Sequence, residues 1–278
     1  MLEYDKIFVD SRFKTTESGS NSDFKFELPD DLSLPNNARC YIDDITIPVT
    51  WFSVEAGMND RLYVRLKLSA TDKTDEIIIL DPQNYDIESF RDMLQEKLNQ
   101  KFPNRFAVEG NKRTNLLTIK ITNSNRFEIW TDDDLKKGYT SSGNWSGEGY
   151  YPNNLMSFNN SLKNTDGTSG DYYNGMPYVS GFVDFLNIHN VYLHSNLSRF
   201  DCMTAVGRSN IVKKICITTS WGYLQNDSVV MINDFIDVSN RTFKTLEFSL
   251  RNVYGNVVPL HGGHISFTLR FTIGDSGQ

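Results

Sequence analysis

The chain has 278 residues, a net charge of −7 and a pI near 5.2. Hydrophobic residues make up 39% and aromatic residues 13% of the sequence, more than disordered chains contain, so we expect a folded protein with a sizeable core. Adjacent basic residues occur only as pairs, which excludes a broad phosphate-binding surface. We therefore expect no nucleic-acid partner.

Targeting and redox signals are also absent from the sequence. The amino terminus, "MLEYDKIFVDSRF", lacks the basic and apolar regions of a signal peptide, and the longest aliphatic run, Ile77 to Leu80, is far too short to span a membrane. We expect a soluble protein that is made in the cytoplasm and is not secreted. The cysteines, Cys40, Cys202 and Cys216, are odd in number and follow no CxxC spacing, which predicts reduced thiols.

The first 70 residues alternate polar and apolar side chains between turn residues. Side chains in a strand repeat every two residues, so Phe24, Phe26 and Leu28 would share one face of a sheet. Four segments are predicted to be strands on this basis: "KIFVDS", "DFKFEL", "CYIDDITIPV" and "RLYVRLKL".

A different pattern begins near residue 71. The short strand "EIIIL" precedes a segment with helical spacing, in which Asp86 is the predicted amino-terminal cap and Phe102-Pro103 the end. Three short strands follow, "RFAVEG", "NLLTIKI" and "RFEIW". This order predicts a small βαβββ unit.

The segment from Thr131 to about Met176 is rich in Gly, Ser, Asn, Asp and Tyr and shows no period, which predicts a long polar and aromatic loop. Strand patterns then resume in "GFVDFLNIHNVYLHS", "NIVKKICITTS", "DSVVMIND", "FKTLEFSLRN" and "HISFTLRFTI". Outside the middle unit, about eight strands with long connections remain. We predict a mainly β protein, a single eight-stranded antiparallel jelly roll (residues 1–70 and 179–278) with an inserted small α+β domain (residues 71–178).

Two pairs of histidines are the first candidates for a chemical site. His261 and His264 flank Gly262-Gly263, and histidines at this spacing bind zinc only when a helix and a third ligand support them. The two glycines instead predict a turn with positive φ angles before the last strand. His189 and His194 are five residues apart in a predicted strand, so they would face opposite sides of the sheet.

Several other segments lack the residue spacing that a catalytic, phosphate-binding or calcium-binding motif requires. Ser146 in "GNWSG" and Ser169 in "GTSGD" do not fit a nucleophile elbow, and Val206 to Asn210 is a glycine-bearing turn rather than a phosphate loop. The acidic run Asp132 to Asp134 lacks calcium-loop spacing and is better explained as the first turn of a short helix capped by Thr131. The sequence therefore predicts no catalytic, cofactor-binding or metal-binding residues, no cofactor and no enzyme activity.

Several phrases resemble a known group of proteins. They are "NVYLHSNLSRFDCMTAVGRSNIVKKICITTSWGYL", "LEFSLRNVYGNVVPLHGGHISFTLRF", "IFVDSRF", "CYIDDITIPVTWFSV" and "LDPQNYDIESFRDMLQEKLN". In these phrases the chain resembles the penton, or minor capsid, protein of the Polinton/Maverick elements, adintoviruses and virophages. The resemblance covers most of the chain and is weakest from about residue 139 to 178.

The resemblance implies a structural virion protein without catalytic residues. Five copies would form a homopentamer at each fivefold vertex of an icosahedral capsid and would contact a double jelly-roll major capsid protein. Cyclic, head-to-tail contacts of this kind close a ring when the rotation is right. The polar loop and the inserted unit would project outward, where they could meet a host receptor or glycan. Residues 1 to about 21 would form an arm that tethers neighbours.

A β-sandwich module that binds carbohydrate or a receptor is the alternative. Five aromatic residues of the loop region could stack on sugars: Trp145, Tyr150, Tyr151, Tyr172 and Tyr173. Such a module would bind its ligand as a monomer, whereas a vertex protein acts through self-association.

Overall fold

The computed structural model describes residues 5–69, 71–130, 172–199, 202–204, 207–230 and 234–273. These residues are mainly β, with multiple antiparallel sheets and one α-helix. By contact they divide into two compact units. The sandwich unit comprises the described residues up to Trp51 and from Ile188 onward, and the inserted unit runs from Phe52 to Asn187.

The elements are, in chain order, β1 (Lys6–Asp10), a 3-10 helix (Ser11–Phe13), β2 (Asp23–Ser33), β3 (Ala38–Pro48), β4 (Arg61–Lys67), β5 (Lys73–Ile79), α1 (Ile87–Lys101), β6 (Phe106–Asn111), β7 (Leu116–Ile121), β8 (Arg126–Trp130), β9 (Tyr172–Tyr173), β10 (Tyr178–Val179), β11 (Asn190–Ser195), β12 (Cys202–Thr204), β13 (Gly207–Ser209), β14 (Ile211–Cys216), β15 (Leu224–Asp227), β16 (Ile236–Asp237), β17 (Thr242–Arg251) and β18 (Ser266–Ile273).

The sandwich unit is a jelly roll. One of its sheets has the order β1-β18-β3-β15, with β16 also paired to β3, and the other has the order β14-β11-β17-β2. The strands β15 and β16 both pair with β3 and count here as one interrupted strand. The eight strands of the two sheets can then be numbered from 1 to 8 in chain order: β1, β2, β3, β11, β14, β15 with β16, β17 and β18. In this numbering one sheet has the order 1-8-3-6 and the other 2-7-4-5. This is the arrangement of two Greek keys that defines a jelly roll. The predicted fold class is confirmed.

Apolar side chains from both sheets form the core of the sandwich unit. The ring of Phe248 on β17 lies 5.6 Å from that of Phe24 on β2 and 4.8 Å from that of Phe267 on β18. The second pair is edge to face, with an interplanar angle of 77°, which adds to the energy gained from burial alone. All three rings are buried, as the period of two in "DFKFEL" and "ISFTLRF" predicts.

Three strand predictions differ from the structure in extent. Of "GFVDFLNIHNVYLHS", only Asn190–Ser195 is a strand, and among the described residues of "DSVVMIND", 227–230 and 234, only Asp227 is, at the end of β15. The strand β2 continues through Pro29 to Ser33. Proline is tolerated there because β2 is an edge strand, and its partner β17 shifts register between Phe243 and Thr245.

The inserted unit combines the helix with two antiparallel sheets, of order β5-β4-β8-β9 and β10-β7-β6. The predicted βαβββ sequence is present as β5, α1, β6, β7 and β8. The helix begins after Asp86, whose side chain accepts hydrogen bonds from the backbone N–H groups of Glu88 and Ser89. The Ser89 side chain meets the backbone of Asp86 in return, which completes a capping box.

The boundaries of the inserted unit differ from those expected from the sequence. We expected residues 71–178, whereas the compact unit runs from 52 to 187. The reason is β4, which we had placed in the jelly roll but which pairs with β5 on one side and β8 on the other. Its inward residues Leu62, Val64 and Leu66 belong to the core of the inserted unit.

An aromatic row joins the two sheets of the inserted unit. Successive ring centroids are 5.2 to 5.6 Å apart along it. The row runs through Phe102, Phe106, Phe127, Tyr172 and Tyr178. Its members come from the end of α1 and from β6, β8, β9 and β10, so one continuous contact fixes elements that are distant in the sequence.

A buried ion-pair cluster lies on the sheet of β4, β5 and β8. Arg65 is 4% exposed and donates to Asp75 through Nε at 2.6 Å and through a terminal nitrogen at 2.7 Å. The guanidinium carbon lies 4.6 Å from the ring centroid of Trp130, whose Nε1 donates to Glu128 at 3.2 Å. Glu128 also pairs with Lys67. The hydrogen bond to Asp75 raises the pKa of the Arg65 guanidinium, so this charge is permanent.

We expect Asp86→Ala to lower the free energy of unfolding by about 1 kcal/mol, because it leaves backbone donors in the first turn of α1 without their acceptor. Urea titration followed by circular dichroism would measure this. Asp86→Asn is the matched control, since asparagine caps helices as well as aspartate does. Equal losses in the two variants would contradict the capping role.

Candidate functional site

The His261-Gly262-Gly263-His264 segment forms a tight turn in the sandwich unit. The N–H of Gly263 donates to the carbonyl of Leu260 at 2.7 Å, and the two residues between have positive φ angles, 45° at His261 and 88° at Gly262. Positive φ at both central positions is the pattern of a type I′ turn. The turn leads into β18, as the sequence predicts.

The role of the second glycine differs from the prediction. We expected positive φ at Gly262 and Gly263, but the structure has it at His261 and Gly262. Gly263 is needed for close approach instead. A Cβ atom on it would lie 2.7 Å from Cγ of Pro48 and 3.0 Å from the carbonyl oxygen of Leu260.

The two histidines of the turn do not converge. His264 lies on the β18 side, where its Nδ1 is 3.5 Å from Oγ of Ser11, while His261 is one of the turn residues. Ser11 Oγ also accepts a hydrogen bond from the N–H of Ile265 at 3.1 Å, so Ser11 helps to position the residue that precedes β18. Among the described residues, no group of three or more His, Cys, Asp or Glu side chains could hold a metal ion.

We expect Gly263→Ala to lower the free energy of unfolding by roughly 1–3 kcal/mol, the usual cost of forcing extra atoms into a packed site. Gly19→Ala is the control, because a Cβ there meets its nearest neighbour at 3.8 Å, an ordinary contact. Chemical denaturation would give both values. A Gly263→Ala variant as stable as Gly19→Ala would contradict the packing argument.

The second candidate histidine, His194, lines a polar groove of about 500 Å³ on the outer face of the β14-β11-β17-β2 sheet. Its Nδ1 lies 2.8 Å from Oδ1 of Asn210 and 3.4 Å from Oγ of Ser209. His189 precedes β11 and is exposed, and its carbonyl accepts from the N–H of Ile217 at 2.8 Å. The two histidines therefore belong to different surroundings.

The groove carries charges of both signs. Its walls include Lys25 and Glu247, which form an ion pair at 3.7 Å, and Arg251, which donates to the carbonyl of Gly255 at 2.9 Å. Mixed charge of this kind does not favour one class of ion. Sequence patterns did not indicate this groove because its residues come from four strands and four connections that only the fold brings together.

The protein should lose stability as the pH falls below about 6.5, the usual pKa of histidine. Burial, the main cause, and Arg251 lower the pKa of His194, while the hydrogen bond to Asn210 opposes them. The unfolded chain thus binds this proton more tightly, and stability present above pH 6.5 is lost between that value and the lower folded-state pKa.

Thermal unfolding of the wild type and of His194→Gln between pH 7.5 and pH 5 would test this. The variant should show a smaller fall in melting temperature over this range. The carboxylates with lowered pKa values, Asp10, Asp86 and Asp237, start from 3.8 and act in a more acidic window. Parallel curves for the two proteins would rule out His194 as the source.

One of the five candidate sugar-stacking residues is in the core. Tyr172 is 3% exposed and packs between Phe127 and Tyr178 in the aromatic row, so it cannot stack on a ligand. Tyr173 is exposed, and the guanidinium of Arg126 lies 5.3 Å from its ring centroid. The remaining candidates lie outside the described residues, as do the rejected serine and acidic motifs: Trp145, Tyr150, Tyr151, Ser146, Ser169 and Asp132 to Asp134.

Two further expectations concern loops and the amino-terminal segment. Gly207 has a φ of 117° at the start of β13, which pairs with β12, so the glycine of the Val206 to Asn210 segment serves a hairpin.

The expected arm, residues 1 to about 21, does not extend away from the sandwich unit where the structure describes it. Its strand β1 pairs with β18, and Thr15 donates to the carbonyl of Lys25 at 2.9 Å. These contacts make residues 5–21 part of the sandwich unit.

The three cysteines are free thiols in the structure, as predicted. Burial raises the pKa of the Cys40 thiol to about 12, so it stays protonated and unreactive.

Among the residues that the structure describes, every helix is too short or too polar to cross a membrane.

Exposed apolar side chains are the surface feature that sequence patterns missed. In the sandwich unit they lie on short strands and on connections, and their side chains are not part of the core. The most exposed are Phe8, Phe13, Met203, Tyr223, Leu224, Val229, Val253 and Tyr254. One signal was available: Ile7, Phe8 and Val9 are consecutive apolar residues in a strand with only one buried face.

No protein-family model matches the sequence, and no curated protein matches it. Among solved structures, the chain is similar to the crystal structure of selenomethionine-labelled mavirus penton protein. The two share 12% sequence identity with a TM-score of 0.53, over 97% of this chain and 99% of that one. The similarity therefore extends through both the sandwich unit and the inserted unit, and this chain has a penton-like fold.

Proposed function

We propose that this protein is a structural component of a virion, a penton that forms homopentamers at the fivefold vertices of an icosahedral capsid. The observation that carries the proposal is the full-length structural similarity to mavirus penton protein. The phrases in both halves of the sequence that resemble Polinton/Maverick, adintovirus and virophage pentons support it independently.

The partners follow from this role. The chain associates with itself and with a double jelly-roll major capsid protein, and it acts in the virion after synthesis in the host cytoplasm. Its outer loops are the candidate contact for a host receptor or glycan. The net charge of −7 and the short basic pairs favour protein partners over nucleic acid.

The arrangement of polar groups supports a structural role rather than catalysis. Two of the histidines considered from the sequence contribute to the fold. His261 lies in the turn that the N–H of Gly263 closes on the carbonyl of Leu260, and Nδ1 of His194 lies 2.8 Å from Oδ1 of Asn210. The charged cluster of the inserted unit is internally paired, with Arg65 on Asp75. Groups used in this way stabilise the fold, and a shell protein acts through the surfaces that its fold presents.

Light scattering coupled to size exclusion should show a species of five times the 31.9 kDa chain mass, with fivefold rings in negative-stain images at high protein concentration. Co-expression with a double jelly-roll major capsid protein should place the chain at the vertices of closed particles. A stable dimer or trimer, or closed particles that exclude the chain, would contradict the proposal. A monomer that binds glycans would support the carbohydrate-binding alternative.

A further inference from the structure

The jelly roll has two opposite edges that differ in chemistry. Each sheet ends in one strand at each edge: β1 and β2 lie at the first edge, and β15 and β14 lie at the second. A ring of identical copies needs two different surfaces on each copy, one that meets the preceding copy and one that meets the next. The two edges provide such a pair.

The second edge is closed by a buried ion pair between the sheets. Lys213 on β14 is 7% exposed and lies 3.4 Å from Oδ1 of Asp227 on β15. Its Nζ also donates to the carbonyl of Val229 at 2.8 Å, and the N–H of Val229 donates to Asp227 at 2.9 Å. Both polar groups of the Val229 backbone are thus held, while its side chain is 63% exposed. The fold fixes this apolar group in position before any partner binds.

Two further apolar residues are exposed on the second edge. They are Leu224, the first residue of β15, and Tyr223, which precedes it. Leu224 pairs with Pro48 in the ladder of β15 and β3, so this end of the patch is likewise fixed by backbone pairing. The second edge therefore presents exposed apolar side chains at Tyr223, Leu224 and Val229, with the exposed polar residues Asn226 and Ser228 between them; we call the three apolar residues the apolar strip.

The first edge is open and concave. A cleft of about 200 Å³ lies between β1 and β2, with Lys6 and Asp30 at its margin. Its walls are apolar and comprise Ile7, Phe26, Leu28, Pro29 and Leu32. Since an apolar cavity of about 150 Å³ in another protein takes up benzene, this cleft has room for a valine or leucine side chain.

The charges of the two edges are complementary. The strand β2 at the first edge carries four acids, Asp23, Glu27, Asp30 and Asp31, against Lys25, a net charge of −3. The strands β14 and β15 at the second edge carry Lys213, Lys214 and Asp227, a net charge of +1, and because Asp227 pairs with Lys213 the exposed positive charge is that of Lys214. Opposite charges on surfaces that meet increase the rate of association and select the correct orientation.

We propose that the cleft between β1 and β2 of one copy receives the apolar strip of Tyr223, Leu224 and Val229 from the next copy, so that identical copies join head to tail. The occupant of the cleft is a second copy of this chain, because the matching strip and the matching charge lie on the opposite edge of the same sandwich. This inference rests on the proposed function and specifies its lateral contact.

Two exposed residues allow the contact to be broken without disturbing the core. Pro29→Glu adds a charge at the cleft, and Val229→Glu adds one to the strip, so each variant loses one half of the contact. Val253→Glu is the matched control: Val253 is 62% exposed and lies in the connection between β17 and β18, so it belongs to no edge strand and lines neither the cleft nor the strip. Circular dichroism and melting temperature would confirm that all three are folded.

Analytical ultracentrifugation of the full chain over a range of concentrations would measure self-association. We expect the wild type and Val253→Glu to form rings, and Pro29→Glu and Val229→Glu each to associate at least tenfold more weakly. An equimolar mixture of the two edge variants should stop at a two-chain species, because one intact cleft meets one intact strip and the other halves are blocked.

The outcomes separate this inference from the proposed function. Rings that persist in either edge variant, or that form again in the mixture, would overturn the head-to-tail contact. They would not contradict the proposed ring. The cleft would then belong to another occupant, such as the shell protein. A wild-type chain that does not associate even at millimolar concentration would overturn the ring, and the lateral contact with it.

Discussion

The sandwich depends on apolar contact between its two sheets, and Phe248 is at the centre of that contact. Its ring meets Phe24 on the neighbouring strand and Phe267 on the opposite sheet. A phenylalanine of this kind contributes roughly 1.5–3 kcal/mol through burial. Because alternate residues of every strand must supply this layer, the remaining half face outward. The surface chemistry of each face is thus set by the same period that builds the core.

The elements that the sequence predicted correctly are those with strong local signals. The strand β18 shows a strict alternation over eight residues, and α1 combines a cap at Asp86 with an apolar face. Both signals are contained within a single window of the chain, so no tertiary information was needed. The jelly roll followed from counting such strands.

The errors occurred where a residue's role depends on distant parts of the chain. The alternation of β4 is the same in either unit, and only its pairing with β5 and β8 assigns it to the inserted unit. Tyr172 reads as a loop residue but is buried in the aromatic row. The β1–β2 cleft could not be predicted either, because it is a gap between strands of different sheets.

Buried charges in this protein are satisfied close to where they lie in the sheets. Arg65 is bidentate with Asp75 across one strand pair, and Lys213 meets Asp227 between the two sheets of the jelly roll. Removing one member of such a pair leaves an uncompensated charge, which costs about 3–5 kcal/mol. These residues therefore fix register and closure, and they free the outer surfaces for contacts with other molecules.

The position of β18 in its sheet has a consequence for synthesis. The strand lies between β1 and β3, which are made first, so the ribosome must reach Ile273 before that sheet can be completed. Contacts at such separation form slowly, whereas the inserted unit is continuous in sequence and can fold as it emerges. Until then, β1 and β3 each have an edge that lacks its partner, β18. Any surface that spans both edges of the sandwich thus exists only after β18 has been made and has paired with β1 and β3.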